Sequence, residues 1–331
     1  MNEVVYISCA ESKKIEVWKL NNNGKLNLIQ IIKTKGQTQP LCINKKKKLL
    51  YVTIRPNYFL LIYKINSNGL LKFYKKNILL SSVNHISLDQ SNKFIFLSSY
   101  HYGNINIFIL NKNGYLFSKP YKIISNLKGC HSSYTDLKNK KLFISALKKD
   151  SIYIYNLNIK KKKIFKKDQK IKTGFNFGPR HMSFNKNKKY AYSINEINGS
   201  IDVWKIKNLN KIIKKQNINI IPKKINYKPW SSDIHIHPSG KFLYACDRTY
   251  NLITLFHILN NGSFLLIKKY FITEIQPRSF NINSNGKFLI VAGQKSNTIS
   301  CYSICNITGD IKFVSNYTVN KGPLWVLFKN F

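Results

Sequence analysis

Short apolar runs of four or five residues, rich in Ile, Phe, Tyr and Val, alternate along the whole chain with clusters of Asn, Lys, Gly and Ser. β-Branched and aromatic runs of that length, bounded by turn residues, read as strands. No long helical periodicity competes. The runs recur in one frame: residues 39–44, a Lys-rich turn, then 50–53. The frame returns at 84–89 with 94–97, at 180–185 with 190–193, and in copies that begin at Ser232 and Arg278. A looser copy begins at His131. A third, alternating run follows the second at 59–63, 105–108, 152–155 and 201–204.

The first position of the frame is Gln39, Asn84, His131, Arg180, Ser232, Arg278 and Pro323, in steps of 45, 47, 49, 52, 46 and 45. A period in the forties with several short strands per unit is that of a β-propeller blade. The chain begins with a second strand (4–8) and a third (15–18), and an orphan first strand (322–327) stands near its end. Pairing the two closes a ring and leaves no open seam. The expectation is an all-β, seven-bladed β-propeller, with residues 1–331 as one domain, because an isolated blade cannot bury both its faces.

Composition narrows the class. No apolar stretch is long enough to span a membrane, and the N-terminus lacks the basic and apolar regions of a signal peptide. The six cysteines are scattered without a CxxC pair, which points to a reducing cytoplasm rather than a disulfide framework or a zinc site. The net charge is +42, which raises nucleic acid as a partner. The excess is almost all Lys, however, and Asn and Ile, which share its A/T-rich codons, are abundant too. Base-composition drift is the simpler account, and neither a specific nucleic-acid partner nor a membrane is expected. The lysine runs 45–48 and 160–163 read as solvated turns.

Of the 55 basic residues only Arg55, Arg180, Arg248 and Arg278 are arginine. Arg180 and Arg278 occupy the first position of the frame. Arg55 and Arg248 occupy a second position 16 residues later, shared with Tyr100, Leu147, Glu196 and Gln294. In a propeller, the start of the inner strand and the loop after the second strand open on the same end of the central channel. All four arginines are therefore expected at one funnel, with Glu196, His131, His181 and Gln294. A guanidinium presents a planar fork to carboxylate or phosphate, which an ammonium cannot. Four cations against few carboxylates would leave charge unpaired if the residues only satisfied one another, so an anionic substrate undergoing acid–base chemistry is expected.

Other residues are weaker candidates. His235 and His237 share a strand face, but no third metal ligand is apparent, so a structural or supporting role is expected. Asp233 is open to orienting a His or Arg, or to capping a turn. Trp18, Trp204, Trp230 and Trp325 read mainly as blade core, and His85 and His101 as packed or solvent-exposed. No P-loop, GxGxxG, GxSxG or HExxH motif occurs.

In the stretches Gln37-Thr38-Gln39-Pro40, Gly129-Cys130-His131-Ser132, Gly178-Pro179-Arg180-His181-Met182, Asn195-Glu196-Ile197-Asn198-Gly199, Asp233-Ile234-His235-Ile236, Ala245-Cys246-Asp247-Arg248-Thr249, Gln276-Pro277-Arg278-Ser279 and Ala292-Gly293-Gln294, the chain resembles the bacterial 6-phosphogluconolactonases of the propeller type. That family also includes fungal muconate-lactonising enzymes. The resemblance runs from Val5 to Trp325. It implies hydrolysis of 6-phospho-D-glucono-1,5-lactone in the oxidative pentose phosphate pathway, on a small phosphorylated sugar lactone and without cofactor or metal. The roles it carries fall on His131, Arg180, Glu196 and an arginine that is Arg248 or Arg278. Glu196 or His131 is the expected base and Arg180 the oxyanion partner. The phosphate falls to Arg278, Arg248 or Arg55, and the general acid is His131 or His181. Arg55, His181, Arg248 and Gln294 are thus expected to bind substrate. A monomer is the default expectation. The alternatives are a cycloisomerase acting on a dicarboxylate, and a basic propeller scaffold. The scaffold lacks the Gly-His and Trp-Asp pairs of WD repeats. A Phe-containing approach, 174–177, precedes the Gly-Pro-Arg-His motif and is expected to shape the rim.

Overall fold

The computed structural model describes residues 3–158, 163–207, 211–222 and 227–330. Seven four-stranded antiparallel sheets stand around a central channel. They are numbered here as blades 1 (3–33 with 323–330), 2 (37–78), 3 (85–124), 4 (130–172), 5 (179–219), 6 (231–272) and 7 (277–318). The C-terminal strand Pro323–Asn330 enters blade 1 as its inner strand and pairs with Glu3–Cys9, from Glu3 opposite Asn330 to Cys9 opposite Pro323. The ring closes as the split repeat requires. Glu3 adds a tie to blade 7, accepting from Asn283 Nδ2 at 2.6 Å and Ser284 Oγ at 3.1 Å.

The first three strands of each blade match the three runs of the sequence frame. A fourth, outer strand completes every sheet and was not legible in that frame. Leu26–Lys33 and Ile311–Thr318 show why: only their first residues are buried, and the rest alternate between exposed and half-buried. With one face in solvent, Lys and Asn dilute the apolar alternation that marks a strand. The lysine run 45–48 forms a turn, whereas lysines 160–162 lie outside the described residues.

The core lies between blades. Phe143, Ile152 and Ile154 of blade 4, for example, pack with Met182, Ala191 and Trp204 of blade 5. A tyrosine on the second strand crosses four of the blade borders. Tyr6, Tyr51, Tyr192 and Tyr244 donate to the Gly69, Gly114, Gly262 and Gly309 carbonyls of the next blade, at 2.8, 2.5, 2.9 and 2.6 Å. Tyr51, Tyr192 and Tyr244 each stand 12 residues after the first position of their repeat, where blades 3, 4 and 7 carry Phe96, Phe143 and Ile290. All six cysteines are free, and burial pushes the thiols of Cys42, Cys130 and Cys246 up to about 12. No helix among the described residues is long and apolar enough to cross a membrane.

Candidate active site

Six inner strands begin with a bulge, and in five of them the first residue of the repeat falls inside it. The register skips between Thr38 and Leu41, Cys130 and Ser132, Pro179 and Met182, Ser231 and Ile234, and Pro277 and Ser279. A bulge leaves one residue outside the ladder and re-aims its side chain. Gln39, His131, Arg180, Ser232 and Arg278 all occupy such positions. In blades 5 and 6 the bulge also holds the next residue, His181 or Asp233. Regular alternation would send one of each consecutive pair away from the channel; the bulge lets both Arg180 and His181 face it. Gly178 sits just before, at φ +67°, where a Cβ would come within 2.7 Å of Ile197.

Glu196, in the loop after the second strand of blade 5, is the centre of the charged cluster. Its Oε2 stands 2.7 Å from Arg180 Nε and 3.0 Å from Arg248 Nη2. The Arg180 Nε–H is not aimed along that line, so the contact is an ion pair rather than a hydrogen bond. Oε1 accepts from Trp230 Nε1 at 3.3 Å. Arg180 also donates through Nη1 to the Ser232 carbonyl. Arg248 donates to the Trp230 and Ser231 carbonyls at 3.0 and 3.3 Å, and its guanidinium lies 3.7 Å from the centre of the Trp230 ring. Arg278 reaches Gln294 Oε1 at 3.4 Å. Burial opposes ionisation of Glu196, but Arg180, Arg248 and Arg278 together hold its carboxyl below the usual value. Burial and the neighbouring Arg180 lower Arg248 to about 9 and Arg278 to about 10, so both stay charged at neutral pH.

Beneath the arginines lies a layer of imidazoles. His131 and His181 have ring centres 5.2 Å apart, and His85 is 5.5 Å from His181. Arg180 Nη1 is 3.2 and 3.1 Å from the two ring nitrogens of His181, the reach of a guanidinium lying over the ring face. His181 Nδ1 is 2.8 Å from Asp233 Oδ1, and His235 Nε2 is 3.3 Å from Oδ2. Burial resists charge on Asp233, yet His235 and His181 keep it ionised, well below the usual range. An ionised carboxylate only accepts, so His181 carries its proton on Nδ1. Burial and then Arg180 lower His181 to about 4. His131 is held well below its usual value by burial, Arg180 and His181, and its Nδ1 is buried with no partner.

The structure thus brings Arg180, Glu196, Arg248, Arg278 and Gln294 together at one mouth, with His131 and His181 just beneath. Arg55 stands apart on the rim, in blade 2. Trp230 corrects the sequence reading: at 39% exposed, it is a wall of the site and not blade core. Trp325 is half-buried in the channel, within 5.9 Å of His85 and His181, while Trp18 and Trp204 are core. His85 is buried in the channel, and His101 is exposed on the rim. His237 is structural, bonded to the Gly286 carbonyl at 2.9 Å. No group of three His, Cys, Asp or Glu suited to a metal occurs among the described residues. The approach to Arg180 is anchored by Asp150, which accepts from the Asn176 and Gly178 amides at 2.9 Å each, and it presents Phe175 to solvent, 87% exposed.

Residues 4–328 match the family described as lactonase, 7-bladed beta-propeller. The chain belongs to that lactonase family. It is 45% identical over 336 residues to a 6-phosphogluconolactonase of Buchnera aphidicola from Schizaphis graminum, covering 98% of each chain. It is 40% identical over 327 residues to a 6-phosphogluconolactonase of Erwinia tasmaniensis, covering 99% of this chain and 98% of that one. Among solved structures, the periplasmic gluconolactonase of Pseudomonas aeruginosa superposes with a TM-score of 0.91 at 18% identity over 99% of each chain. At that identity the likeness concerns the fold. Within this lactonase, the residues at the mouth come from separate blades, so the ring must close before the site exists.

Proposed function

We propose that the protein hydrolyses 6-phospho-D-glucono-1,5-lactone to 6-phospho-D-gluconate, the lactone-opening step of the oxidative pentose phosphate pathway. One observation carries the chemistry: Glu196 bridges Arg180 and Arg248 beside Arg278, so three guanidiniums share one carboxylate. The surplus positive charge suits an anionic substrate and a developing oxyanion. Full-length relatives named 6-phosphogluconolactonase, at 40% to 45% identity, support this substrate over a dicarboxylate.

In this reading the lactone carbonyl lies against Arg180 and Arg278. His131, neutral because burial and nearby cations disfavour its charge, takes a proton from water. The water oxygen bonds to the carbonyl carbon, and the carbonyl electrons move to the oxygen facing the arginines. Collapse of that oxyanion breaks the bond to the ring oxygen, which receives the proton from His131 and becomes a hydroxyl. The new carboxylic acid loses its proton to solvent. Glu196, engaged with two guanidiniums, sets their positions and is not the base. His181, fixed by Asp233, backs the ring of His131. The test is acid release from freshly made lactone by purified, chelator-treated protein. Acceleration above the spontaneous rate is expected; a rate equal to it would end the proposal.

A further inference from the structure

The four arginines differ in what holds them. Arg180 and Arg248 are paired with Glu196, and Arg278 has Gln294. Arg55 has one long bond, from Nη2 to the Val83 carbonyl at 3.5 Å, and its Nε is buried without a partner. No carboxylate pairs with Arg55 among the described residues. A guanidinium held partly out of water with most of its donors idle is costly unless an acceptor arrives.

Arg55 lines a cavity of about 450 Å³ on the rim of the arginine mouth. Lys13, Ser82, Tyr58, His101 and Tyr102 line it too. The lining therefore offers two fixed cations, an imidazole and three hydroxyls, and no carboxylate. The Tyr58 and Tyr102 hydroxyls are 3.3 Å apart, so one small polyoxygen group can meet both. These side chains come from blades 1, 2 and 3, whereas Arg180, Glu196, Arg248 and Arg278 come from blades 5, 6 and 7. The two groups thus come from separate blades around one channel, close enough for the charge of Arg55 to bear on Arg278.

We propose that this cavity is a phosphate-monoester subsite, in which Arg55, Lys13 and His101 hold the terminal phosphate of the substrate while Arg180 and Arg278 hold its carbonyl end. The assignment rests on the lactonase reading above and goes further, because it separates phosphorylated from unphosphorylated lactones. A six-carbon lactone with phosphate on its last carbon carries its carbonyl and its dianion at opposite ends, as two separate cation groups require. A planar fork takes two phosphate oxygens at once, and such charge-assisted bonds are the strong ones.

The test compares wild type with Arg55→Gln, Lys13→Gln and His101→Gln on 6-phosphogluconolactone and on unphosphorylated glucono-1,5-lactone. Lys72→Gln, on an outer strand, controls for loss of one positive charge. Arg55→Gln is expected to raise KM for the phosphorylated lactone about 10- to 100-fold, with Lys13→Gln and His101→Gln smaller in the same direction. kcat/KM for the unphosphorylated lactone stays within about twofold of wild type, as it does for both substrates in Lys72→Gln. An equal loss on both lactones, or no loss on either, overturns the subsite. If wild type hydrolyses neither lactone, the lactonase reading fails and calorimetry with 6-phosphogluconate decides the subsite. Binding weakened at least about tenfold by Arg55→Gln upholds it, and absent or unchanged binding overturns it.

Discussion

Replacing Glu196 by Gln separates two roles that a carboxylate beside an active site can play. As a base, Glu196 would contribute to kcat and little to stability. As the counter-ion of Arg180 and Arg248, it would contribute to stability first and to kcat only through the positions of those arginines. Removing one partner of a buried ion pair costs about 3–5 kcal/mol, because the other charge is left unpaired. The Glu196 side chain is 17% exposed, and glutamine keeps its size and one acceptor for Trp230, so the lower end, about 3 kcal/mol, applies. With an unfolding entropy of about 2.1 cal/mol/K per residue, the 331-residue chain gives about 0.7 kcal/mol/K, so Tm should fall by about 4 °C. The pH dependence has a definite sign. The arginines hold the Glu196 carboxyl below its ordinary value of 4.5, so its stabilisation is present above that pH and is lost as pH falls through the folded value. The gap between wild type and variant should therefore narrow in acid. Thermal unfolding at pH 7 and in acid, with lactone hydrolysis alongside, is the assay. An unchanged Tm with kcat reduced about a thousandfold would make Glu196 the base and refute the counter-ion argument.

Arg180→Lys keeps the charge and removes the fork, so kcat/KM should drop about a hundredfold; a value within about twofold of wild type would contradict the geometric role. His131→Gln should lower kcat by about 10²–10⁴ with little change in KM, and a loss confined to KM would assign the proton transfer elsewhere. His181, at about 4 against an ordinary 6.5, folds neutral; the stability it contributes is complete above pH 6.5 and about 3 kcal/mol is lost as pH falls through 4. Urea unfolding across that window should show the decline in wild type and a shallower one in His181→Gln. Tyr244→Phe leaves the Gly309 carbonyl without its donor at the border of blades 6 and 7 and should cost about 1–2 kcal/mol; an unchanged urea midpoint would remove that bond from the account of ring stability.

The inner three strands of each blade were legible because both their faces are buried, which keeps their apolar residues dense. The outer strands were not, because solvent on one face admits Lys, Asn and Gln among their apolar residues. The arginine columns do converge on one end of the channel, since spacing within a repeat carries over to position around a ring. Spacing could not show which arginines are neutralised: Arg180 and Arg248 share Glu196 through side-chain reach, while Arg55, in the same column as Arg248, has no carboxylate. Trp230 was misread because aromatic residues are most often core, and this one lies just ahead of the repeat rather than on its strands. The tyrosines at the blade borders had a visible signal in their constant offset from the first position of the repeat, recurring in blades 2, 5 and 6.

The bulges at the channel mouth have a consequence for how such a protein changes over time. A residue inside a bulge owes little to the ladder, so exchanging it leaves the register of its blade intact. Gln39, His131, Arg180, Ser232 and Arg278 occupy equivalent bulged positions, yet they present an amide, an imidazole, a hydroxyl and two guanidiniums. Scaffold and reagent are therefore inherited separately: the ring can hold its shape while selection rewrites the mouth one blade at a time.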